Sequence, residues 1–151
     1  MERGLDAKGN EPLSAQASGF RHVRAARRSA VTEDYLELIA DLIACKGEAR
    51  SVDLAERFGV APATVAKCVA RLRREGLVRA ERYGALHLSD EGLRIATASR
   101  ERHRTVVEFL RGIGVSAEVA EQDAEGIEHH VSAETLAAFA RLTKHPSGGP
   151  D

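Results

Sequence analysis

A short acidic and histidine-rich segment near the C-terminal end has side chains that can bind a metal ion. The segment DAEGIEHH, residues 123–130, contains Glu125, Glu128, His129 and His130. Carboxylate and imidazole groups bind divalent cations, and residues three or four apart lie on one face of a helix. We therefore expect Glu125, Glu128 and His129 to project together. The segment alone fits a solvated helix face at least as well as a metal site.

Three more side chains of these types lie elsewhere in the chain. Asp34 and Glu37 form an acidic pair three residues apart on the more polar face of a predicted first helix. His103 lies in a predicted long helix and has no evident apolar role. If these helices pack together, six potential ligands from three helices could converge on one site.

The stretch DLAERFGVAPATVAKCVARL, residues 53–72, has the spacing of a helix-turn-helix. Small Ala55 allows two helices to cross closely, and Gly59 follows four residues later at the turn. Val65 and Cys68 are then expected to face the core. A merely structural helical hairpin is the alternative, and the local concentration of arginine and lysine favours DNA binding over it.

The segment LVRAERYGALHL, residues 77–88, predicts two short strands around a turn at Tyr83 and Gly84. Together with the helix-turn-helix, it forms a winged helix whose recognition helix enters the major groove. Residues expected to meet base edges are Pro62, Ala63, Thr64 and Lys67, and those expected to meet phosphates are Arg71, Arg74 and Arg82. Tyr83 either stacks on the sugar-phosphate backbone or is simply a turn residue.

The sequence outside these motifs predicts an irregular N-terminal segment followed by a series of helices. Residues 1–20 have few large apolar side chains, which predicts a disordered tail. The basic stretch RHVRAARR, residues 21–28, is either an arm that contacts phosphates or a solvated lead-in. Apolar residues recur at helical spacing from Val31, with Thr32 as the predicted cap. Ser89 is the predicted cap of a long helix, and two shorter helices follow.

Composition limits the classes of protein to which the chain can belong. It has 151 residues, of which 43% are hydrophobic and 30% charged, with a net charge of -1. The chain has no apolar run of the roughly 18 residues that a membrane span needs and no signal-peptide pattern, so we expect a cytoplasmic protein without a membrane partner. Cys45 and Cys68 are isolated from each other and are predicted to be reduced core residues.

Four segments, TEDYLELIADLI, VAPATVAKCVARL, RERHRTVVEFLRGIGV and DAEGIEHHVSAETL, resemble the manganese transport regulators of the diphtheria toxin repressor family. The resemblance covers residues 31–143 and implies a mainly α fold. A winged helix-turn-helix domain at residues 31–93 would be joined by a long helix to an all-α metal-binding and dimerisation domain at 94–143. Residues 1–30 would form a disordered or arm-like extension, and 144–151 a flexible tail.

The resemblance also implies a ligand set. Carried over by position, the metal ligands would be Asp34, Glu37, His103, Glu125, Glu128 and His129, whereas His130 is not expected to bind metal. Iron-responsive relatives have Met and Cys among their ligands where this chain has Asp34 and Glu125. Oxygen donors with some nitrogen favour Mn(II) over softer metals, and the number of ligands suggests two ions per subunit.

The implied function is a Mn(II)-responsive repressor of manganese uptake genes, which is not an enzyme. It would bind double-stranded palindromic operator DNA as a homodimer, with metal fixing the spacing of the two recognition helices. The alternatives are an Fe(II)-responsive regulator, a winged-helix regulator that responds to an organic ligand or to oxidation of Cys68, and a small two-metal hydrolase. The hydrolase fits poorly, because such a site needs an open coordination position in a substrate cleft.

Overall fold

The computed structural model describes residues 13–144, with side chains described from residue 16. The elements, in chain order, are α1 (Leu13–Lys46), β1 (Ala49–Arg50), α2 (Ser51–Phe58), α3 (Pro62–Arg74), β2 (Val78–Ala80), β3 (Ala85–Leu88), α4 (Asp90–Gly112), α5 (Ala117–Ile127) and α6 (Ala133–Lys144). The mainly α fold expected from the sequence is confirmed. None of these helices is both long and apolar enough to cross a membrane.

The first core lies where α1 packs on the helix-turn-helix. Leu36 and Ile39 of α1 are fully buried, and they belong to one apolar cluster with Leu54 of α2 and Val65 of α3. Gly59 forms the turn between α2 and α3 with φ of 64°, a left-handed conformation that glycine adopts without strain. Apolar side chains at helical spacing therefore hold the recognition helix α3 on α1.

The wing is a three-stranded antiparallel sheet in the order β1-β3-β2. In the predicted hairpin, Val78 pairs with Leu88. Strand β1 is an addition that the sequence does not predict, and in it Ala49 pairs with Leu86. Two residues are too few to show the alternation on which strand prediction depends.

Helix α4 begins at the predicted cap and leads out of the wing. The Ser89 hydroxyl accepts a hydrogen bond from the Gly92 N–H at 3.0 Å and donates one to the Leu77 carbonyl at 3.2 Å. A Cβ on Gly92 would lie 2.3 Å from that same carbonyl oxygen. Glycine is therefore required at position 92, because the first turn of α4 passes directly against the backbone of Leu77, just before β2.

A second, smaller core joins α4 to the C-terminal helices. Its buried members are Val106 and Val107 of α4 with Ala120 and Ala124 of α5. Phe109 of α4 stacks on Phe139 of α6 with ring centroids 3.9 Å apart. Helix α4 therefore links the two cores, since it packs on α1 as well as on α5 and α6.

Helix α1 begins earlier than the sequence predicts. The predicted start at Thr32 is wrong, because residues 13–30 form the first half of the same helix. Alanine and arginine, which favour helix, are frequent between Arg24 and Ala30. The described side chains before Val31 are nearly all exposed, so this part of the helix has no apolar periodicity from which it could be predicted. Residues 1–12 of the predicted extension lie outside the described residues, as do residues 145–151 of the predicted tail.

Two local predictions are also corrected. Helix α5 ends at Ile127 and not at His130, so Glu128, His129 and His130 lie in the turn that follows. The turn is closed by the His130 N–H, which donates to the Ile127 carbonyl at 3.0 Å. Cys45 is exposed and is not a core residue, because it occupies the outer face of α1, whereas Cys68 is half-buried against the first core.

Candidate functional site

The six predicted metal ligands come from elements that pack on one another. Asp34 and Glu37 lie on α1, His103 on α4 and Glu125 on α5, and Glu128 and His129 lie in the turn after α5. Because α4 contacts both α1 and α5, residues far apart in the chain meet in one region. The structure thus places a carboxylate and imidazole cluster between the N-terminal half, which contains the predicted winged helix, and the C-terminal half.

One part of the cluster is centred on His103. Its Nδ1 atom lies 2.7 Å from Glu128 Oε2 and 3.8 Å from Glu125 Oε1. One ligand atom from each of these three residues lies within 4.8 Å of the other two, a spacing that could hold a metal ion. The other ring nitrogen, Nε2, lies 2.8 Å from the exposed carboxylate of Glu121.

The second part of the cluster is centred on His129. Its Nε2 atom lies 3.3 Å from Asp34 Oδ1 and 3.3 Å from Glu128 Oε1. Glu128 therefore has one carboxylate oxygen beside each imidazole. Since the two oxygens belong to one carboxylate, Glu128 joins the two parts of the cluster.

Glu37 occupies the open side of the cluster. It lines a cleft of about 330 Å³ together with Asp34 and Glu125. Burial is the largest cause that raises the pKa of Glu37, and the charges of Asp34 and Glu125 raise it further, whereas the nearby Ser99 hydroxyl and the positive charge of Arg100 lower it. Repulsion among these carboxylates is the condition that a bound cation would relieve.

The protonation of the cluster reflects its burial and its charge. Glu128 is only 3% exposed, and this burial raises its pKa from 4.5 to about 7. The carboxylates of Asp34 and Glu33 raise the pKa of His129 from 6.5 to about 10. Burial opposes protonation of His103, but Glu121, Glu128 and Glu125 outweigh it and raise the pKa of that ring as well.

Two buried atoms of the cluster have no hydrogen-bond partner among the described residues. These atoms are Glu128 Oε2 and His129 Nε2. Their closest contacts are ion-pair contacts at 2.7 Å from Glu128 Oε2 to His103 and at 3.3 Å from His129 Nε2 to Asp34 and Glu128. Buried polar atoms are normally satisfied, so a cation that displaces the proton from His129 and accepts the lone pairs of both atoms fits here. The donor set of carboxylate oxygens and imidazole nitrogens suits a divalent cation.

The sequence does not identify Glu33 as part of this region, although it directly precedes Asp34. Glu33 Oε2 lies 2.8 Å from His129 Nδ1 and 2.5 Å from Arg102 Nη2. Burial favours the neutral form of Glu33, but His129 and Arg102 outweigh burial and lower its pKa. An acidic residue beside a predicted ligand was the only available signal, because its partner His129 is 96 positions away. His130, by contrast, is exposed.

The predicted DNA-binding residues form an exposed surface on α3 and the wing. On the recognition helix, all four residues expected to meet bases are exposed, namely Pro62, Ala63, Thr64 and Lys67. Arg74 and Arg82 are also exposed, and Tyr83 at the wing tip is 86% exposed with φ of 78°. None of these side chains is needed for the core, so the surface is available to a partner.

Arg71 differs from the other predicted phosphate contacts because its guanidinium is held within the protein. Nη1 donates to Thr32 Oγ1 on α1 at 3.0 Å and to Glu75 at 3.1 Å. The Thr32 bond ties the recognition helix to α1. A phosphate contact by Arg71 would require it to leave these partners.

The sequence-based set of DNA contacts omits two arginines of the same surface. Arg73 and Arg79 line a groove of about 560 Å³ with Arg74, between α3 and β2. Both belong to the arginine- and lysine-rich stretch at residues 67–82. The surface that their side chains face depends on how the wing packs against α3. The groove therefore has more positive charge than the predicted set implies.

Comparison with known proteins gives matches over both halves of the chain. The model of the iron dependent repressor N-terminal DNA binding domain matches residues 28–86, and that of the iron dependent repressor metal binding and dimerisation domain matches residues 89–151. The chain is 52% identical over 132 residues to the transcriptional regulator MntR of Escherichia coli O6:H1, covering 87% of this chain and 85% of that protein.

A second relative and two solved structures extend the comparison. The HTH-type transcriptional regulator MntR of Bacillus subtilis is 39% identical over 113 residues, covering 75% of this chain and 80% of that protein. The crystal structure of IdeR from T. acidophilum is similar with a TM-score of 0.67 and 26% identity, covering 79% of this chain and 62% of that chain. The manganese regulator SloR gives a TM-score of 0.66 and 26% identity, covering 79% of this chain and 56% of that chain.

Proposed function

Since the chain belongs to the iron-dependent repressor family, we propose that it represses transcription of manganese uptake genes when Mn(II) occupies the cluster between its two halves. Its relatives are named transcriptional regulators, and the chain is a DNA-binding regulator and not an enzyme. The observation that carries the proposal is the position of Glu128, with one carboxylate oxygen beside His103 and the other beside His129.

We propose that this cluster is the metal centre. The ligands would be Asp34, Glu37, His103, Glu125, Glu128 and His129. Four carboxylates and two imidazoles, without sulfur, suit Mn(II). A bound divalent cation would supply the positive charge that offsets carboxylate repulsion. Because Glu128 stands between two imidazole groups, we propose two ions per subunit.

The regulatory effect would follow from where the ligands lie. Asp34 and Glu37 belong to α1, which supports the recognition helix α3, whereas the other four ligands belong to the C-terminal half. Ligands drawn together from both halves would fix the angle between them. In a homodimer, this would set the separation of two recognition helices to match successive major grooves of a palindromic operator. In this role the protein would act in the cytoplasm.

The dimer would use the apolar surface at the far end of the second core. Phe109, Ile113 and Leu142 line a cleft of about 650 Å³ there. Ile113 is 63% exposed and Leu142 53% exposed. The family model for this half describes a dimerisation domain, and a second copy of the chain would cover these side chains.

On the DNA surface, we propose that Thr64 and Lys67 contact base edges while Arg74 and Arg82 contact phosphates. The rival response to oxidation of Cys68 is disfavoured, because burial raises the pKa of its thiol and so reduces the reactive thiolate. An Fe(II)-responsive regulator is the rival that would use this same site, since the same ligands can bind Fe(II).

The proposed metal centre can be tested by direct binding. Metal-free protein would be titrated with Mn(II), and the free ion would be measured by electron paramagnetic resonance. We expect two ions bound per subunit in the wild type and weaker binding in Glu128→Ala. A wild type that leaves all added Mn(II) free would overturn the proposal. The same titration under anaerobic conditions with Fe(II) separates the two metal-responsive alternatives, because only the regulating metal should also increase DNA affinity.

A further inference from the structure

Glu33 connects three elements at the edge of the acidic cluster. It lies on α1 with its side chain 12% exposed, and its Oε2 atom receives contacts from α4 and from the turn after α5. These contacts are His129 Nδ1 at 2.8 Å, Arg102 Nη2 at 2.5 Å and Ser99 Oγ at 3.5 Å. The other oxygen, Oε1, accepts from Ser29 Oγ at 3.2 Å. Both carboxylate oxygens are thus engaged, so the position of Glu33 is fixed by its surroundings.

The two nitrogens of His129 face different environments. Nε2 lies 3.3 Å from both Asp34 and Glu128 and has no hydrogen-bond partner among the described residues. Nδ1 faces Glu33. A carboxylate that accepts a hydrogen bond from one ring nitrogen keeps the proton on that nitrogen and leaves the lone pair of the other for a metal. The side chain of His129 is 5% exposed, so water has little access to replace Glu33.

From this geometry we propose that Glu33, itself held by Arg102, is a positioning residue that retains the Nδ1 proton of His129 and so presents Nε2 to the metal. The inference rests on the proposed function for the identity of the ion. It assigns to Glu33 no direct bond to the metal. The contacts on which the inference depends are all between protein groups, namely Glu33 with His129, Arg102 and Ser99.

The other imidazole of the cluster provides a matched comparison. His103 also has a carboxylate outside the proposed ligand set on one nitrogen, with Glu121 Oε2 at 2.8 Å from Nε2. Glu121 is 62% exposed, however, and no described residue other than His103 holds its carboxylate. Exposed ion pairs contribute little to stability or to the positioning of a side chain, because water competes for the same groups. Glu33 and Glu121 therefore each contact one ring nitrogen of a proposed histidine ligand. They differ because Glu33 is buried and is held by Arg102, whereas Glu121 is exposed.

The first test uses the metal-free protein, labelled with ¹⁵N at histidine. In the wild type, we expect nuclear magnetic resonance to show a slowly exchanging ring proton on Nδ1 of His129. Glu33→Ala should abolish this signal, while Glu121→Ala should leave it unchanged. Glu33→Gln keeps the size of the side chain and one acceptor, so it should retain a weakened signal and keeps the test decisive if Glu33→Ala fails to fold.

The second test measures Mn(II) binding by the same variants. We expect Glu33→Ala to weaken binding by about 10- to 100-fold, the usual effect of removing a partner behind a metal-binding histidine. Glu33→Gln should lie between it and the wild type, and Glu121→Ala should stay within about 3-fold of the wild type, as expected for an exposed pair. The inference is overturned if the Nδ1 signal is as strong in Glu33→Ala and Glu33→Gln as in the wild type, or if the affinity of these variants for Mn(II) equals that of the wild type. A wild type that shows the signal but binds no Mn(II) would instead contradict the proposed function.

Discussion

Glu128 Oε2 lies 2.7 Å from His103 Nδ1, within ion-pair distance. The contact connects the turn after α5 to the middle of α4, and the second oxygen of the same carboxylate faces His129. A carboxylate that is 3% exposed and faces two imidazoles is an arrangement that a bound cation would stabilise.

Removing the carboxylate of Glu128 should weaken metal binding, whereas removing an exposed carboxylate outside the proposed ligand set should not. We expect Glu128→Ala to lower Mn(II) affinity by at least the roughly 10- to 100-fold that loss of an outer partner costs, because both halves of the cluster lose an oxygen. Isothermal titration calorimetry measures this effect. Glu118→Ala, an exposed carboxylate of α5, is the matched control and should bind as the wild type does. Equal affinity in both variants would contradict the assigned role.

The metal-free protein should lose stability as the pH rises from about 5 to about 10. Burial raises the pKa of Glu128 to about 7, and neighbouring carboxylates raise that of His129 to about 10. Both groups hold a proton more tightly in the folded state than in the unfolded state. Each group therefore contributes its full stabilisation of the folded state at a pH below its pKa in the unfolded protein. This stabilisation is lost as the pH rises through its pKa in the folded protein.

Thermal unfolding in the presence of a chelator checks this pH dependence, and Glu128→Gln should remove its lower part, between pH about 4.5 and about 7. Mn(II) binding should show the opposite trend and strengthen with pH, because the ligands must lose their protons. A melting temperature that rises over this pH range would refute the protonation assigned to the cluster.

Arg71 and Arg82 should behave differently when each is replaced by alanine. Arg82→Ala should weaken binding to all DNA sequences alike and reduce the salt dependence by about 0.9 in slope, the value for one phosphate contact. Arg71→Ala should mainly lower the melting temperature, because its guanidinium is bonded to Thr32 and Glu75. DNA binding over a salt series, together with thermal unfolding, separates the two effects. A reduced salt slope for Arg71→Ala at unchanged stability would restore it as a phosphate contact.

The entry into α4 should not tolerate a methyl group. In Gly92→Ala, the new Cβ would meet the Leu77 carbonyl oxygen at 2.3 Å, so the backbone must shift. We expect a loss of about 1 to 3 kcal/mol in the free energy of unfolding, typical of overpacking. Gly112→Ala near the other end of α4 meets nothing within 4 Å and should be neutral or stabilising. Chemical denaturation of both variants compares them directly, and equal stabilities would show that the close approach is not a constraint.

The sequence predicts those parts of the molecule that depend on local patterns. The turn at Gly59, the cap at Ser89 and the hairpin around Tyr83 are each encoded within a few residues, and the structure has all three. The early start of α1 is not predicted, because the exposed residues before Val31 show no apolar periodicity. Helix α5 ends inside a segment whose spacing alone allows it to continue, which is why Ile127 is not an evident boundary.

In the candidate site, too, local features can be predicted from the sequence, whereas contacts between distant residues cannot. The proposed ligands can be listed from residue types and from the resemblance, but their partners cannot. The bond between Arg71 and Thr32 spans 39 positions and that between Glu33 and His129 spans 96. Such pairs depend on how α1, α3 and α4 pack, and helical spacing within a single segment does not contain that information.

We propose that metal binding in the cluster and DNA binding by the recognition helices are coupled. The most direct test of this coupling uses operator DNA selected from a random pool in the presence of Mn(II). Binding of this DNA is then measured in chelator and in increasing Mn(II). We predict that Mn(II) raises the affinity by roughly 10- to 100-fold, within the range that a coupling free energy of about 1 to 3 kcal/mol allows. Glu37→Ala and His129→Ala should remove the response without removing weak basal binding. Equal affinity in chelator and in excess Mn(II), or a normal response in Glu37→Ala, would contradict the account.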